Sequence, residues 1–206
     1  MMALNTSTEL SGAPLRVLLD SLGLLKTLRV SFGVARRRLR DRPFASLGPA
    51  GDRREKQSRR QALVAILLYR ELQVVVPDRA LALTFRVIEA GAVGYLRRTL
   101  GRIRGDALMR LAPETRAKRV QGWLDRFFTA TATLDRVTES KVEFTVTACA
   151  LVRLSHAAGH PELAPAFCRG DASYFASLSP PIGLDRRKTL AEGGDSCPFV
   201  LYLTDA

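Results

Sequence analysis

Apolar residues recur at Leu15, Leu18, Leu19, Leu22, Leu25 and Val30, a stripe with the period of an α-helix. Pro14 suits the first turn of that helix, which the pattern carries to about Leu39. Residues 1–13 read as a loose start. Pro43, Gly48, Pro49 and Gly51 punctuate a turn or linker. A second helix is predicted from Arg53 to Gln73, followed by the β-branched run Val74–Val76 and by Pro77-Asp78. A third reaches about Leu100, with Gly101 and Gly105 ending it or marking a turn. Ala112-Pro113-Glu114 opens a fourth, with Trp123, Phe127 and Phe128 on its apolar side.

The pattern changes near residue 131. Val142, Phe144, Val146 and Ala148 alternate with Glu143, Thr145 and Thr147, the period-two signature of a half-buried strand. Ala150–Ala158 returns to helix and stops at Gly159. Pro161-Glu162 opens another helix that Ser179-Pro180-Pro181 breaks. Leu184–Ala191 and Pro198–Leu203 read as two strands joined by a turn at Glu192-Gly193-Gly194-Asp195, with glycine where a positive φ is needed. The fold class expected is α+β: a helical N-terminal region, then a small antiparallel sheet with a two-helix insertion. The division is 1–130, basic and helical, and 131–206, α+β, the two packed as one domain. At 206 residues the chain has room for one sizeable core.

Charge sharpens the division. Residues 1–120 carry 24 Lys and Arg against 10 Asp and Glu, whereas residues 121–206 carry 8 against 10. Runs such as Arg36 to Arg42 and Arg53 to Arg60 are either phosphate-binding surfaces or solvated helix faces. Aromatics make up only 7% of the chain. A single-strand binder interleaves basic residues with stacking rings, so a nucleic-acid partner is not expected. The run Ala62–Tyr69 is far shorter than the ~20 apolar residues that span a bilayer. Met1 to Ala13 lacks a basic segment and a continuous apolar stretch. Three cysteines do not make a paired framework. The expectation is a cytoplasmic protein with reduced thiols, no membrane partner, and a homo-oligomer formed through the N-terminal helices.

The groups suited to chemistry are gathered late in the chain. Cys149, Cys168, Cys197, His156 and His160 all fall after residue 148. Cys168 and Asp171 stand three apart in a predicted helix and so share a face. Asp171 there suits a general base for water or a clamp for a substrate amine. The alternative is a buried cysteine beside an exposed aspartate. A neighbouring carboxylate raises a thiol's pKa, so Asp171 alone does not activate Cys168. Cys149 and His156 lie two turns apart, about 10 Å along a helix axis, too far for a direct dyad. His156 is a candidate proton shuttle or a structural histidine, and His160 reads as surface. Cys149, Cys168 and Cys197 are also candidate thiolate ligands for a divalent metal such as zinc or manganese, although no C-x-x-C pair is present. Arg186, Arg187 and Lys188 are placed on a strand, and Arg186 is a candidate for holding a substrate carboxylate. No dinucleotide, P-loop, zincin or nucleophile-elbow motif occurs.

Phe144 to Leu203 resembles the L-2-amino-thiazoline-4-carboxylic acid hydrolase family. The features that match are a strand ending in Cys149, Gly159-His160-Pro161-Glu162-Leu163, Cys168-Arg169-Gly170-Asp171, Leu184-Asp185-Arg186, Thr189-Leu190, Gly194 and Cys197-Pro198-Phe199. The resemblance implies a hydrolase that opens a small cyclic amidine, such as 2-aminothiazoline-4-carboxylate, to a carbamoyl-cysteine. The nucleophile would be a Cys168 thiolate or a hydroxide on a thiolate-held metal, with Asp171 positioning water or amidine and His156 moving a proton. It also implies the constellation Cys149, Cys168, Asp171, Cys197 and Arg186. Two other readings stand beside it: a non-catalytic sensor for a small molecule or metal, and a tailoring enzyme acting on a related heterocycle.

Overall fold

The computed structural model describes residues 12–101 and 103–204. Most of the expected loose start, residues 1–11, lies outside them. Among the described residues seven α-helices and four strands follow one another: α1 (Ala13–Arg40), α2 (Arg53–Val75), α3 (Ala80–Leu100), α4 (Gly105–Met109), α5 (Pro113–Leu124), β1 (Ala130–Val137), β2 (Lys141–Cys149), α6 (Ala150–Ala157), α7 (Ala164–Ala176), β3 (Ile182–Asp185) and β4 (Cys197–Leu203). The class is α+β, with helices leading into an antiparallel sheet ordered β1-β2-β4-β3. α6 and α7 form the two-helix insertion between β2 and β3.

Local signals explain where the helices begin. Asp52 accepts a hydrogen bond from the Glu55 amide at 2.7 Å and caps α2. Pro14 and Pro113 occupy first-turn positions of α1 and α5. α1 is broken at Gly23, whose φ of 71° and ψ of 175° leave the helical region, a conformation that glycine adopts without a Cβ penalty. Leu25, Leu28, Phe32 and Leu39 of α1 face solvent.

Apolar packing ties the helical region to the later elements in two places. One cluster joins Leu18, Val30, Ile66, Leu72 and Leu83 of α1–α3 to Leu151 and Leu154 of α6. The other joins Leu96, Leu108, Val120 and Trp123 to Phe144, Val146, Tyr174, Phe199 and Leu201 of the sheet and α7. α3 takes part in both and runs against α7, where a Cβ on Gly170 would overlap the Ala92 methyl. Arg116 of α5, 1% exposed, fastens the helices to the β1–β2 turn. Its guanidinium donates to the carbonyls of Met109, Leu111, Thr138 and Glu139.

The structure corrects several expectations. The strand predicted over Leu184–Ala191 ends at Asp185. Beyond it the chain leaves β4, Arg186 turns inward, and Leu190–Glu192 form a 3-10 turn stapled by the Thr189 hydroxyl donating to Glu192. Arg186, Arg187 and Lys188 are therefore in a connecting loop, not on alternating strand faces. The positive φ at the turn is found at Gly193, at 80°. Residues 130–137 form a strand of their own, paired with β2. Gly105 starts a short helix and does not mark a simple turn. His160 is not surface: its imidazole is 16% exposed, packs edge-on against Tyr69 and accepts from Arg70 Nε at 3.0 Å.

Candidate active site

The sheet is two-faced because its strands alternate. Val142, Phe144 and Val146 of β2 and Cys197, Phe199 and Leu201 of β4 are buried on one face. The register sets Phe144 opposite Phe199 and Val146 opposite Cys197. The two phenyl rings stack at 4.6 Å. Against this face lie α3, α5 and α7, and the gap left between them is a cavity of about 150 Å3. That volume matches an apolar cavity able to hold one benzene ring.

Five chemically able residues meet at this cavity from three elements and a loop. Cys149 ends β2, Cys168 and Asp171 come from α7, Arg186 from the loop after β3, and Cys197 starts β4. The three-residue spacing in α7 turns both Cys168 and Asp171 toward it. Arg186 donates through one terminal nitrogen to Asp171 Oδ2 at 2.9 Å and through the other to the Cys168 carbonyl at 2.9 Å. Its guanidinium carbon stands 4.9 Å from the centre of the Phe199 ring. Cys197 Sγ accepts from the Leu190 amide at 3.2 Å, which folds the loop back over the site.

Burial dominates the electrostatics. It raises the Asp171 carboxyl to about 6, against the opposing pull of Arg186. It pushes the Cys168 thiol up to about 12; Arg186 opposes this, while Asp171 and the other two cysteines add to it. Burial also raises Cys149. Near neutral pH the site therefore holds an ionised Asp171 and neutral Cys149 and Cys168 thiols.

His156 stands apart. It is exposed on α6 and does not line the cavity, because its helix turns Leu151 and Leu154 inward. Among the described residues no three His, Cys, Asp or Glu side chains gather closely enough to hold a metal ion. Cys149, Cys168 and Cys197, expected as ligands for zinc or manganese, line the cavity without being gathered that closely. All three cysteines are free thiols.

Sequence reasoning passed over Gln61, on α2. It lines the cavity, and its buried Oε1 has no hydrogen-bond partner. A signal existed: Gln61 is a polar residue at the head of the apolar run Ala62–Tyr69. Tyr95 of α3, Thr129 and Phe167 also reach the cavity without having been singled out, beside Trp123 of α5.

Fold and site together define an α+β protein with one charged pair and three thiols on a mainly apolar cavity. The family model for L-2-amino-thiazoline-4-carboxylic acid hydrolase matches residues 57–201, and the chain belongs to that family. The match starts in α2, so it takes in far more of the helical region than the motifs between Phe144 and Leu203. No curated protein and no solved structure matches the chain. No helix among the described residues is long and apolar enough to cross a membrane.

Proposed function

We propose that this chain hydrolyses a small cyclic amidine of the 2-aminothiazoline kind, with Asp171 as general base for water. One observation carries the reading: Cys149, Cys168, Asp171, Arg186 and Cys197, distant in sequence, line the same cavity, in a chain whose family is named for this hydrolysis.

Asp171 takes one proton from water while the water oxygen bonds to the amidine carbon and the C=N electron pair moves onto its nitrogen. Asp171 gives that proton to this nitrogen, which restores the carboxylate. The tetrahedral carbon then collapses: its hydroxyl becomes the carbonyl, its bond to a ring nitrogen or sulfur breaks, and the hydroxyl proton passes through Asp171 to the leaving atom. A carboxyl held near 6 by burial suits this exchange, since it is ionised at neutral pH yet basic enough to take a proton. Arg186 holds the carboxylate in place and favours its charged form. Gln61 Oε1 is an open acceptor for an amidine N–H.

A resting Cys168 thiolate is the weaker nucleophile in this setting, because its thiol stays protonated up to about 12. The test is product formation by Cys168→Ala and Asp171→Asn on 2-aminothiazoline-4-carboxylate. Retention by the first and loss by the second supports the water route. Loss only with Cys168→Ala would replace it with covalent attack.

A further inference from the structure

Only two charged side chains line the cavity among the described residues, Asp171 and Arg186, and they neutralise each other at 2.9 Å. Each terminal nitrogen of Arg186 already donates, one to Asp171 and one to the Cys168 carbonyl, and the guanidinium lies against Phe199. The charge of Arg186 is thus already matched by a carboxylate, and a substrate carboxylate meets a pair of zero net charge. The rest of the wall is supplied by α3, α5 and the sheet: Leu96, Leu100, Val120, Trp123, Leu124 and Phe144. A carboxylate pressed against such a wall loses its hydration with no ion pair in return. An alkyl or aryl group in the same position gains about 0.8 kcal/mol per buried methylene, roughly fourfold in affinity.

We infer that the substrate of this cavity carries an apolar group where the family's named substrate carries its carboxylate. It is a compact cyclic amidine with an alkyl or aryl substituent, recognised by Asp171 and Gln61 at its nitrogens and by the α3–α5 wall at its substituent. The inference rests on the hydrolase reading for its head group and on the cavity wall for its body.

The experiment compares 2-aminothiazoline-4-carboxylate with 2-amino-4-isopropyl-2-thiazoline. Isopropyl and carboxylate are both two-branched substituents, the one apolar and the other charged. Ring opening is followed by mass spectrometry. Binding is followed independently through the emission of Trp123, the single tryptophan of the chain, which lines the cavity. The expected result is a kcat/KM and an affinity at least tenfold better for the isopropyl compound. Turnover of both with equal or better use of the carboxylate would overturn the inference and leave the hydrolase reading standing. If neither is opened, the hydrolase reading fails, and the fluorescence titration still decides: tighter binding of the isopropyl compound upholds the apolar preference, and equal binding or none refutes it.

Discussion

Arg186 and Asp171, fifteen residues apart in sequence, meet at 2.9 Å on the cavity wall, the one from a loop and the other from a helix. The guanidinium offsets part of the rise that burial imposes on the carboxyl. Arg186→Met removes that offset, so Asp171 takes up its proton at higher pH. The acid limb of the kcat/KM profile should move upward, with a loss of about ten- to a hundredfold at neutral pH. A profile that falls in height without moving its limb would assign Arg186 to substrate contact alone.

Asp171 also sets a trade between activity and stability. Its folded pKa of about 6 lies above the ordinary value of 3.8, so between these the folded state holds a proton that the unfolded state has released. Its contribution to stability is full below about pH 4 and fades as pH rises through 6. Asp171→Asn, which does not ionise, should gain on the wild type across that interval, by about 1 to 3 kcal/mol at pH 8. Its turnover should fall by about 10²–10⁴. Thermal unfolding at pH 4 and pH 8 checks the first point. A gap between the two proteins that does not grow with pH contradicts it.

The close contact of α7 with α3 holds Cys168 and Asp171 on the cavity. Gly170→Ala places a methyl where Ala92 already has one. The expected cost is about 1–3 kcal/mol of stability, measured by urea denaturation, together with a lower kcat as α7 is pushed outward. Ala92→Gly in the same chain should restore much of both.

Arg116 fixes α5, and with it Trp123, through two carbonyls of the β1–β2 turn and two of the chain leading into α5. Arg116→Lys cannot reach all four, and each buried acceptor left open costs about 1–3 kcal/mol. A loss of about 3 kcal/mol or more in denaturant is expected, with a red shift of Trp123 emission as water enters. An unchanged midpoint would mean that the turn holds without it.

Much of this architecture is legible in the sequence because single residues announce it. Pro14 and Pro113 open helices, and Val142, Phe144 and Val146 alternate in β2. The three-residue step from Cys168 to Asp171 sets them on one helix face whatever the tertiary structure. The loop after β3 is not legible in this way. Apolar and polar residues from Leu184 to Ala191 permit a strand, and the chain leaves the sheet because Arg186 finds Asp171 and Cys197 Sγ takes the Leu190 amide. These contacts are tertiary and have no local pattern. β1 is obscured for another reason: its residues are only half-buried or exposed, so its hydrophobic alternation is faint. His156 misleads because clustering in sequence is not clustering in space.

The central claim, that the cavity around Asp171 opens a cyclic amidine with water, is tested most directly by mass spectrometry of 2-aminothiazoline-4-carboxylate incubated with the wild type and with Asp171→Asn. The account predicts a product heavier by one water from the wild type and essentially none from the variant. Equal product from both, or none from the wild type on either this compound or its 4-isopropyl analogue, would contradict it.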